Sequence, residues 1–544
     1  MRGLMMDRPL LIASLIDFAA QYHGDTEIVS RPVEGGTHRY TYAEAAHRTK
    51  RLAQVLRRLG IAEGDRVGTL AWNGYRHFEL YFGISGIGAV CHTINPRLFP
   101  EQIRYIVNHA EDRLLFLDLT FVPLVEKLAA ECNAVRHYVV MTDRAHMPPS
   151  TIPNMLCYEE LLEAEDGNFD WPVFDENTAS SLCYTSGTTG NPRGALYSHR
   201  STVLHSFGMC SADFWALSSH ETVCLMVPMF HVNGWGIPYA SAMCGANLIL
   251  PGPHLDGASL FDLFEAERVT VSAGVPTVYL GLLKHVADND RRFSSLKRAT
   301  IGGSAVPLAM IEAFENKYGV TVRQGWGMTE TSPVGAFGTL KRKFNDLPRS
   351  QQHAMKAKQG RAMYGVDLKI VDAEGNLQPH DGVARGELLV RGPWIVGDYY
   401  DNEAASQEAF DAEGWLHTGD VVTIDADGYI QIVDRRKDVI KSGGEWISSI
   451  EIENAAVGHP DIAEAAAIGL PHPRWGERPL LVIVCKDGRS PENAALLAWL
   501  AERLAKWQLP DDIVRVAEIP HTGTGKILKT KLRELFKDHA LPTI

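Results

Sequence analysis

The hydrophobic pattern changes period repeatedly along the chain, and each change predicts an element. Over residues 43–59 apolar positions recur every three to four residues and stop at Gly60, which predicts an amphipathic helix. Residues 66–72 read as a strand, 78–91 as a helix of small and aromatic residues, 100–110 as an amphipathic helix opening at Pro100, and 114–119 as a buried strand. Further strand-like runs at 180–184, 195–198, 222–229, 298–301 and 320–323 alternate with helical stretches. That alternation predicts an α/β chain whose largely parallel sheets are covered by helices. Beyond residue 446 the order is helix (449–457), strand (465–468), strand (480–485) and helix (491–504), enough for a small α+β domain with its own core.

Open α/β sheets bind ligands beyond the carboxyl ends of their strands, so the residues after each strand matter most. Residues 183–199 read Cys-Tyr-Thr-Ser-Gly-Thr-Thr-Gly-Asn-Pro-Arg-Gly-Ala-Leu-Tyr-Ser-His, and between Thr185 and Gly194 stand four hydroxyl side chains, three glycines, one proline and one cation. Such a loop has almost nothing apolar to bury. Glycines let backbone N–H groups converge and the hydroxyls add donors, which predicts a nest for the oxygens of a polyphosphate. A Walker loop is excluded, because that motif needs a Lys-Ser/Thr pair opening a helix, whereas Pro192-Arg193 leads into a strand. Gly523 to Lys526 also fails, with Pro520 where the first glycine belongs and Ile527 after the lysine.

Three more turns follow predicted strands: Phe230-His231-Val-Asn-Gly-Trp235, Gly302-Gly303-Ser304-Ala305-Val-Pro307, and Gln324-Gly-Trp-Gly-Met-Thr329-Glu330. Pro307 suits the first turn of a helix. All three can converge on one crevice. Taken alone, a Thr-Glu pair is a helix-cap device, a tryptophan or histidine a core residue, and Thr418-Gly419-Asp420 a turn.

Length and charge narrow the picture. At 544 residues the chain is too long for one core and predicts two or more domains. A net charge of -13 argues against a general nucleic-acid binder, so a polyphosphate must meet a local basic island, for which Lys437, Lys441, Lys526 and Lys529 are candidates. Eight cysteines without a Cys-x-x-Cys pair fit reduced thiols in the cytoplasm, and Cys183 reads as a strand cysteine rather than a nucleophile. Residues 10–20 are interrupted by Asp17 and lack a cleavage site, which predicts an amphipathic helix rather than a signal peptide. No apolar run reaches membrane-spanning length, although peripheral contact stays open.

The loop at 184–194 resembles the phosphate loop of the adenylate-forming superfamily, which comprises acyl-CoA synthetases, firefly luciferase and peptide-synthetase adenylation domains. That signature reads Tyr-Thr-Ser-Gly-Thr-Thr-Gly-x-Pro-Lys-Gly, with Arg193 here in place of lysine. The resemblance implies a large ATP- and acid-binding domain (1–434), a hinge (435–437) and a small mobile domain (438–544). It gives Thr185, Ser186, Gly187, Thr188, Thr189 and Gly190 to the phosphates, and Gly303, Ser304, Ala305, Gln324, Gly325 and Trp326 to the adenine and α-phosphate. Thr329 becomes an α-phosphate contact, Glu330 and Thr185 Mg²⁺ ligands, and Asp420 and Arg435 ribose contacts.

The spelling His-Val-Asn-x-Trp is similar to the medium- and long-chain branch, which includes 3-(methylthio)propanoyl-CoA ligases. There His231, Trp235, Gly302, Gly327 and Pro333 would face the acid, with Trp235 gating its tunnel. Residues 434–446 resemble the family hinge, with Arg436 replacing an apolar residue and Lys437 as pivot. Lys441, Ser442, Gly443, Gly444 and Trp446 would meet coenzyme A. The last motif supplies Lys526 for catalysis and has Lys529 where arginine is common. What the resemblance implies is ATP- and Mg²⁺-dependent joining of a carboxylic acid to coenzyme A through an acyl-adenylate, in a cytoplasmic homodimer. A carrier protein is the alternative acceptor. A non-catalytic nucleotide sensor would need decayed positions, yet Thr185, Glu330, Asp420 and Lys526 are all present.

Overall fold

The computed structural model describes residues 1, 3–185, 191–443, 445–521 and 527–542. Among them the strands form three sheets, of thirteen, seven and five strands. The seven-stranded sheet runs parallel through Met155–Cys157, His137–Val140, Leu114–Leu117, Arg66–Leu70, Val90–Thr93 and Ala179–Tyr184, and only Gly194–Ser198 is antiparallel. The thirteen-stranded sheet has a parallel centre made of Thr321–Gly327, Arg298–Gly302, Val271–Gly274, Thr222–Leu225, Asn247–Leu250 and Glu27–Ser30. The parallel strands are apolar and buried, as βαβ units require, for instance Leu114–Leu117 and Val271–Gly274. The chain is therefore α/β, with helix-covered sheets and a smaller unit at the carboxyl end.

Local chemistry sets the elements. The helix Tyr42–Arg58 opens on a reciprocal cap between Thr41 and Glu44, a device worth about 1 kcal/mol, and Gly60 follows it at φ +79°. Residues 78–91 are not one helix. The helix is Tyr75–Gly86, Gly88 turns the chain at φ +81°, and Cys91 lies on the strand Val90–Thr93, where its β-branched and buried neighbours pair with Arg66–Leu70. Pro307 is the cap before Leu308–Glu312 rather than a residue of its first turn.

From Val334 onward the large sheet grows by antiparallel strands, Val334–Phe337, Gly360–Ala362, Tyr429–Arg435, Leu416–Ile424, Gly386–Arg391 and Asp367–Val371, which a βα alternation did not predict. The last strand in sequence to join it ends at Arg435, and the five-stranded sheet opens at Ile440–Ser442. The long hairpin of that sheet, Ile462–His472 with Gly476–Cys485, has its own apolar core. No described helix is long and apolar enough to cross a membrane.

Candidate active site

One cavity of about 1290 Å³ is lined by residues from both large sheets and from the carboxyl-terminal unit. Thr185, Arg193, His231, Trp235, Gly303, Gly325, Trp326, Gly327, Thr329, Glu330 and Pro333 line it, as do Arg435, Lys437 and Lys441. Sequence positions 185 to 441 therefore meet at one place. Ser186 to Gly190, Gly444 and Lys526 lie outside the described residues, although Ile527, next to Lys526, also lines the cavity.

Antiparallel pairing of Ala179–Tyr184 with Gly194–Ser198 holds the two ends of the hydroxyl-rich loop together, and Thr185 and Arg193 close it with Thr185 N–H to Arg193 O at 2.9 Å and Arg193 N–H to Thr185 Oγ1 at 3.2 Å. Cys183 at its base is buried, and burial pushes its thiol up to about 11, so it is no nucleophile at neutral pH. Its Sγ contacts Asn233 Oδ1 at 3.4 Å, and Asn233 Nδ2 donates to Ser181 Oγ at 2.7 Å.

Asn233 thereby straps a strained segment to the loop. Val232, Asn233, Gly234, Trp235 and Gly236 all have positive φ, from +47° to +74°, a left-handed turn that costs non-glycine residues roughly 1–2 kcal/mol each. The turn lays the Trp235 indole over Gly302, where an added Cβ would stand 3.0 Å from the ring. Behind it the buried Trp215 ring lies 6.2 Å from Trp235 and 5.9 Å from Phe337, with Trp215 Nε1 donating to Thr300 Oγ1. Trp215, Thr300 and Phe337 line the same cavity, so aromatic rings form part of its wall beside Trp235.

Residues 324–327 continue the strand Thr321–Gly327 instead of forming a turn, because Val334–Phe337 pairs alongside. Gly327 passes so close to Pro333 O that a Cβ would sit 1.7 Å away. The Gln324 side chain is engaged by the protein, accepting from Val306 N–H at 2.9 Å and donating to Ala357 O at 3.2 Å, which fixes the turn holding Gly303, Ser304 and Ala305. Asp420 is 1% exposed, accepts from Trp326 Nε1 at 2.8 Å on Oδ2, and has Arg435 Nε 2.6 Å from Oδ1. Oδ1 nevertheless lacks a well-aligned hydrogen bond, which leaves a buried acceptor suited to a diol.

Glu330 and Thr329 are buried on a short turn. Tyr399 O–H donates to Glu330 Oε1 at 2.6 Å and Tyr197 O–H to Thr329 O at 2.5 Å. A carboxylate and hydroxyls lining one cavity have the hard oxygen chemistry that suits a divalent cation. Among the described residues no three His, Cys, Asp or Glu cluster as a metal cage.

The remaining candidates divide. Gly443 takes φ +61° and its N–H donates to Trp475 O at 2.7 Å, while Ser442 Oγ accepts from Arg478 at 3.2 Å. Lys441 N–H donates to Glu477 Oε2 at 2.8 Å, and burial lowers the Lys437 ammonium below the usual lysine range. Lys529 is no part of a phosphate-facing island: it is buried on Glu453 at 2.7 Å, beside Ser449, where the carboxylate compensates the buried charge. Sequence reasoning missed Tyr197, Trp215 and Tyr399. Only the unusual Tyr399-Tyr400 pair in a polar stretch offered a signal.

An AMP-binding enzyme model matches residues 16–400, and an AMP-binding enzyme C-terminal domain model matches 451–526. The chain belongs to the AMP-binding enzyme family. Among AMP-binding enzymes it is 53% identical to the 3-methylmercaptopropionyl-CoA ligase of Ruegeria lacuscaerulensis over 99% of both chains, and 47% identical to the medium-chain-fatty-acid–CoA ligase of Ectopseudomonas oleovorans over 99% of this chain and 98% of that one. The anthranilate CoA ligase AuaEII in complex with anthranoyl-AMP superposes with a TM-score of 0.87 at 25% identity, covering 99% of each chain. This AMP-binding enzyme is an ATP-dependent acid–CoA ligase.

Proposed function

We propose that this ligase activates a short carboxylic acid such as 3-(methylthio)propanoate, first to its adenylate and then to its coenzyme A thioester. The aromatic wall that Trp235, Trp215 and Phe337 form in the cavity carries the choice of a short acid. A thioether also gains about 0.3–1.5 kcal/mol against an aromatic ring. The named activity of the Ruegeria relative supports it, and that of the Ectopseudomonas relative supports a second reading, a fatty acid that enters once the Trp235 indole has swung aside.

In the adenylation step the substrate carboxylate attacks the α-phosphorus of ATP and pyrophosphate leaves. A carboxylate is already an adequate nucleophile, so the residues are required to place it and to cancel charge rather than to remove a proton. The 185–190 loop receives the phosphates, Asp420 and Arg435 take the ribose hydroxyls, and Lys526 stabilises the charge that develops on the phosphates. Glu330 and Thr185 would hold Mg²⁺, which when bound neutralises the phosphate oxygens. In the second step the coenzyme A thiol attacks the mixed anhydride and AMP leaves. Lys441, Ser442, Gly443, Gly444 and Trp446 receive the pantetheine arm, and the 438–544 domain swivels about Lys437 between the steps. Free cysteines support a cytoplasmic enzyme, and the family resemblance a homodimer.

Pyrophosphate release measured over acids of rising chain length tests the choice of acid. The wild type is expected to peak at about four to six heavy atoms in the chain and to fall at least tenfold by octanoate. Trp235→Ala should move that peak toward longer acids, since a deleted indole leaves room for several methylenes at ~0.8 kcal/mol each. A wild-type profile rising through dodecanoate overturns the short-acid choice. Separately, Asp420→Ala is expected to raise KM for ATP roughly 10- to 100-fold with KM for the acid little changed, because charge-assisted bonds to the ribose are lost. Equal shifts in both constants would move Asp420 out of the nucleotide site.

A further inference from the structure

We propose that Tyr399 is the positioning residue that aims the Glu330 carboxylate at the metal–nucleotide complex and ties its orientation to the phosphate loop. The proposal rests on Glu330 holding the cation. Tyr399 is 6% exposed and lines the cavity. Its hydroxyl donates to Glu330 Oε1 at 2.6 Å, while among the described residues Oε2 takes no hydrogen bond. One carboxylate oxygen is thus fixed, and the other is left for an ion.

The same ring reaches the phosphate loop by its face. Arg193 Cζ stands 5.5 Å from the Tyr399 ring centroid, and its guanidinium pairs with Glu408 Oε2 at 2.7 Å. Backbone contacts hold the platform on both sides. Tyr400 N–H donates to Gly194 O at 2.8 Å, Val396 N–H to Glu330 O at 2.9 Å, and Ser332 Oγ to Trp394 O at 2.6 Å. Residues 394–400 therefore bind the Glu330 turn to the exit of the loop, and the Tyr399 side chain is the link that touches both functional groups. A tyrosine with a purely packing role would not need its hydroxyl on the carboxylate.

Tyr399→Phe removes the hydroxyl and keeps the ring. Three quantities decide: half-saturating Mg²⁺ in acid-dependent pyrophosphate–ATP exchange, Mn²⁺ binding to the enzyme–ATP complex by electron paramagnetic resonance, and calorimetric ATP affinity in excess chelator. The expected result is a Mg²⁺ requirement raised about tenfold, the size of a lost hydrogen bond to a charged group, with Mn²⁺ affinity falling in parallel and metal-free ATP affinity unchanged. Glu330→Asp, which withdraws the carboxylate from Tyr399 while keeping its charge, should give the same shift. In a Glu330→Gln background the tyrosine change should add nothing. If Glu330→Gln moves the Mg²⁺ requirement and Tyr399→Phe does not, or if their effects multiply, the positioning role is overturned. If Glu330→Gln itself leaves the requirement unmoved, the assignment of Glu330 falls and takes this role with it.

Discussion

Lys526→Ala is expected to slow acyl-adenylate formation about 100- to 1,000-fold, the range for removing one well-placed charge-stabilising donor, while thioester formation from synthetic acyl-adenylate stays within about threefold of wild type. The two half-reactions make different demands. Adenylation builds charge on a departing pyrophosphate and needs a cation there, whereas thiol attack expels AMP and places no new charge at that point. In the sequence Lys526 follows Gly523 and Gly525 and precedes Ile527, which lines the cavity. Pyrophosphate exchange reports the first step and coenzyme A consumption with supplied adenylate the second. Equal losses in both would mean that Lys526 supports the fold or a shared step, and its assignment would fail.

Such an experiment can be framed from the sequence because the polar turns are dense and local. A loop of hydroxyls and glycines between two strands carries its chemistry in consecutive residues, and the turn at Gly302 to Pro307 likewise needs no partner to be noticed. Element placement was legible too, since the strands expected at 180–184 and 298–301 and the helix expected at 449–457 differ from the observed Ala179–Tyr184, Arg298–Gly302 and Ser449–Val457 by at most one residue at either end. What stayed hidden depends on distant partners. The helix expected over 78–91 stops at Gly86 because Val90–Thr93 finds a parallel strand at Arg66–Leu70, and no periodicity records a neighbour. Residues 324–327 look like a loop but are strand, because Val334–Phe337 folds back beside them.

The same limit applies to side chains. Lys529 reads in sequence as a candidate for the basic island that meets a polyphosphate, yet Glu453, 76 positions earlier, pairs with it within the small carboxyl-terminal unit. Trp215 belongs to an ordinary-looking segment, and the Tyr399-Tyr400 pair marks its stretch without saying what it touches. The importance of Tyr399 and Trp215 comes from Glu330 lying 2.6 Å from the first and from the Trp235 ring standing tilted, 6.2 Å from the second. Chemistry that is consecutive in sequence could be read directly, and chemistry assembled across sheets could not.

The hinge combines both kinds of information, and Lys437→Pro is expected to give the converse of Lys526→Ala: adenylation within about threefold of wild type and thioester formation from synthetic adenylate reduced at least tenfold. Arg436 N–H donates to Gly419 O at 2.8 Å and so belongs to the large sheet, whereas Asp438 accepts from Arg533 of the carboxyl-terminal helix Lys529–Leu535 at 2.7 Å. Lys437 lies between the two attachments, where under the proposed alternation a change in backbone dihedrals would turn one unit against the other. Proline holds φ near −65° and restricts the preceding residue as well, which removes that freedom. A swivel also has to break Ser449 N–H to Asp434 Oδ2 at 2.5 Å and the Ser448 hydroxyl bond to Val433 O. Weakening that latch by Ser448→Ala in the wild-type background should therefore raise the thioester rate relative to adenylation. If Lys437→Pro lowers both half-reactions alike, the pivot lies elsewhere in 434–446 and the alternation of the small domain about Lys437 is refuted.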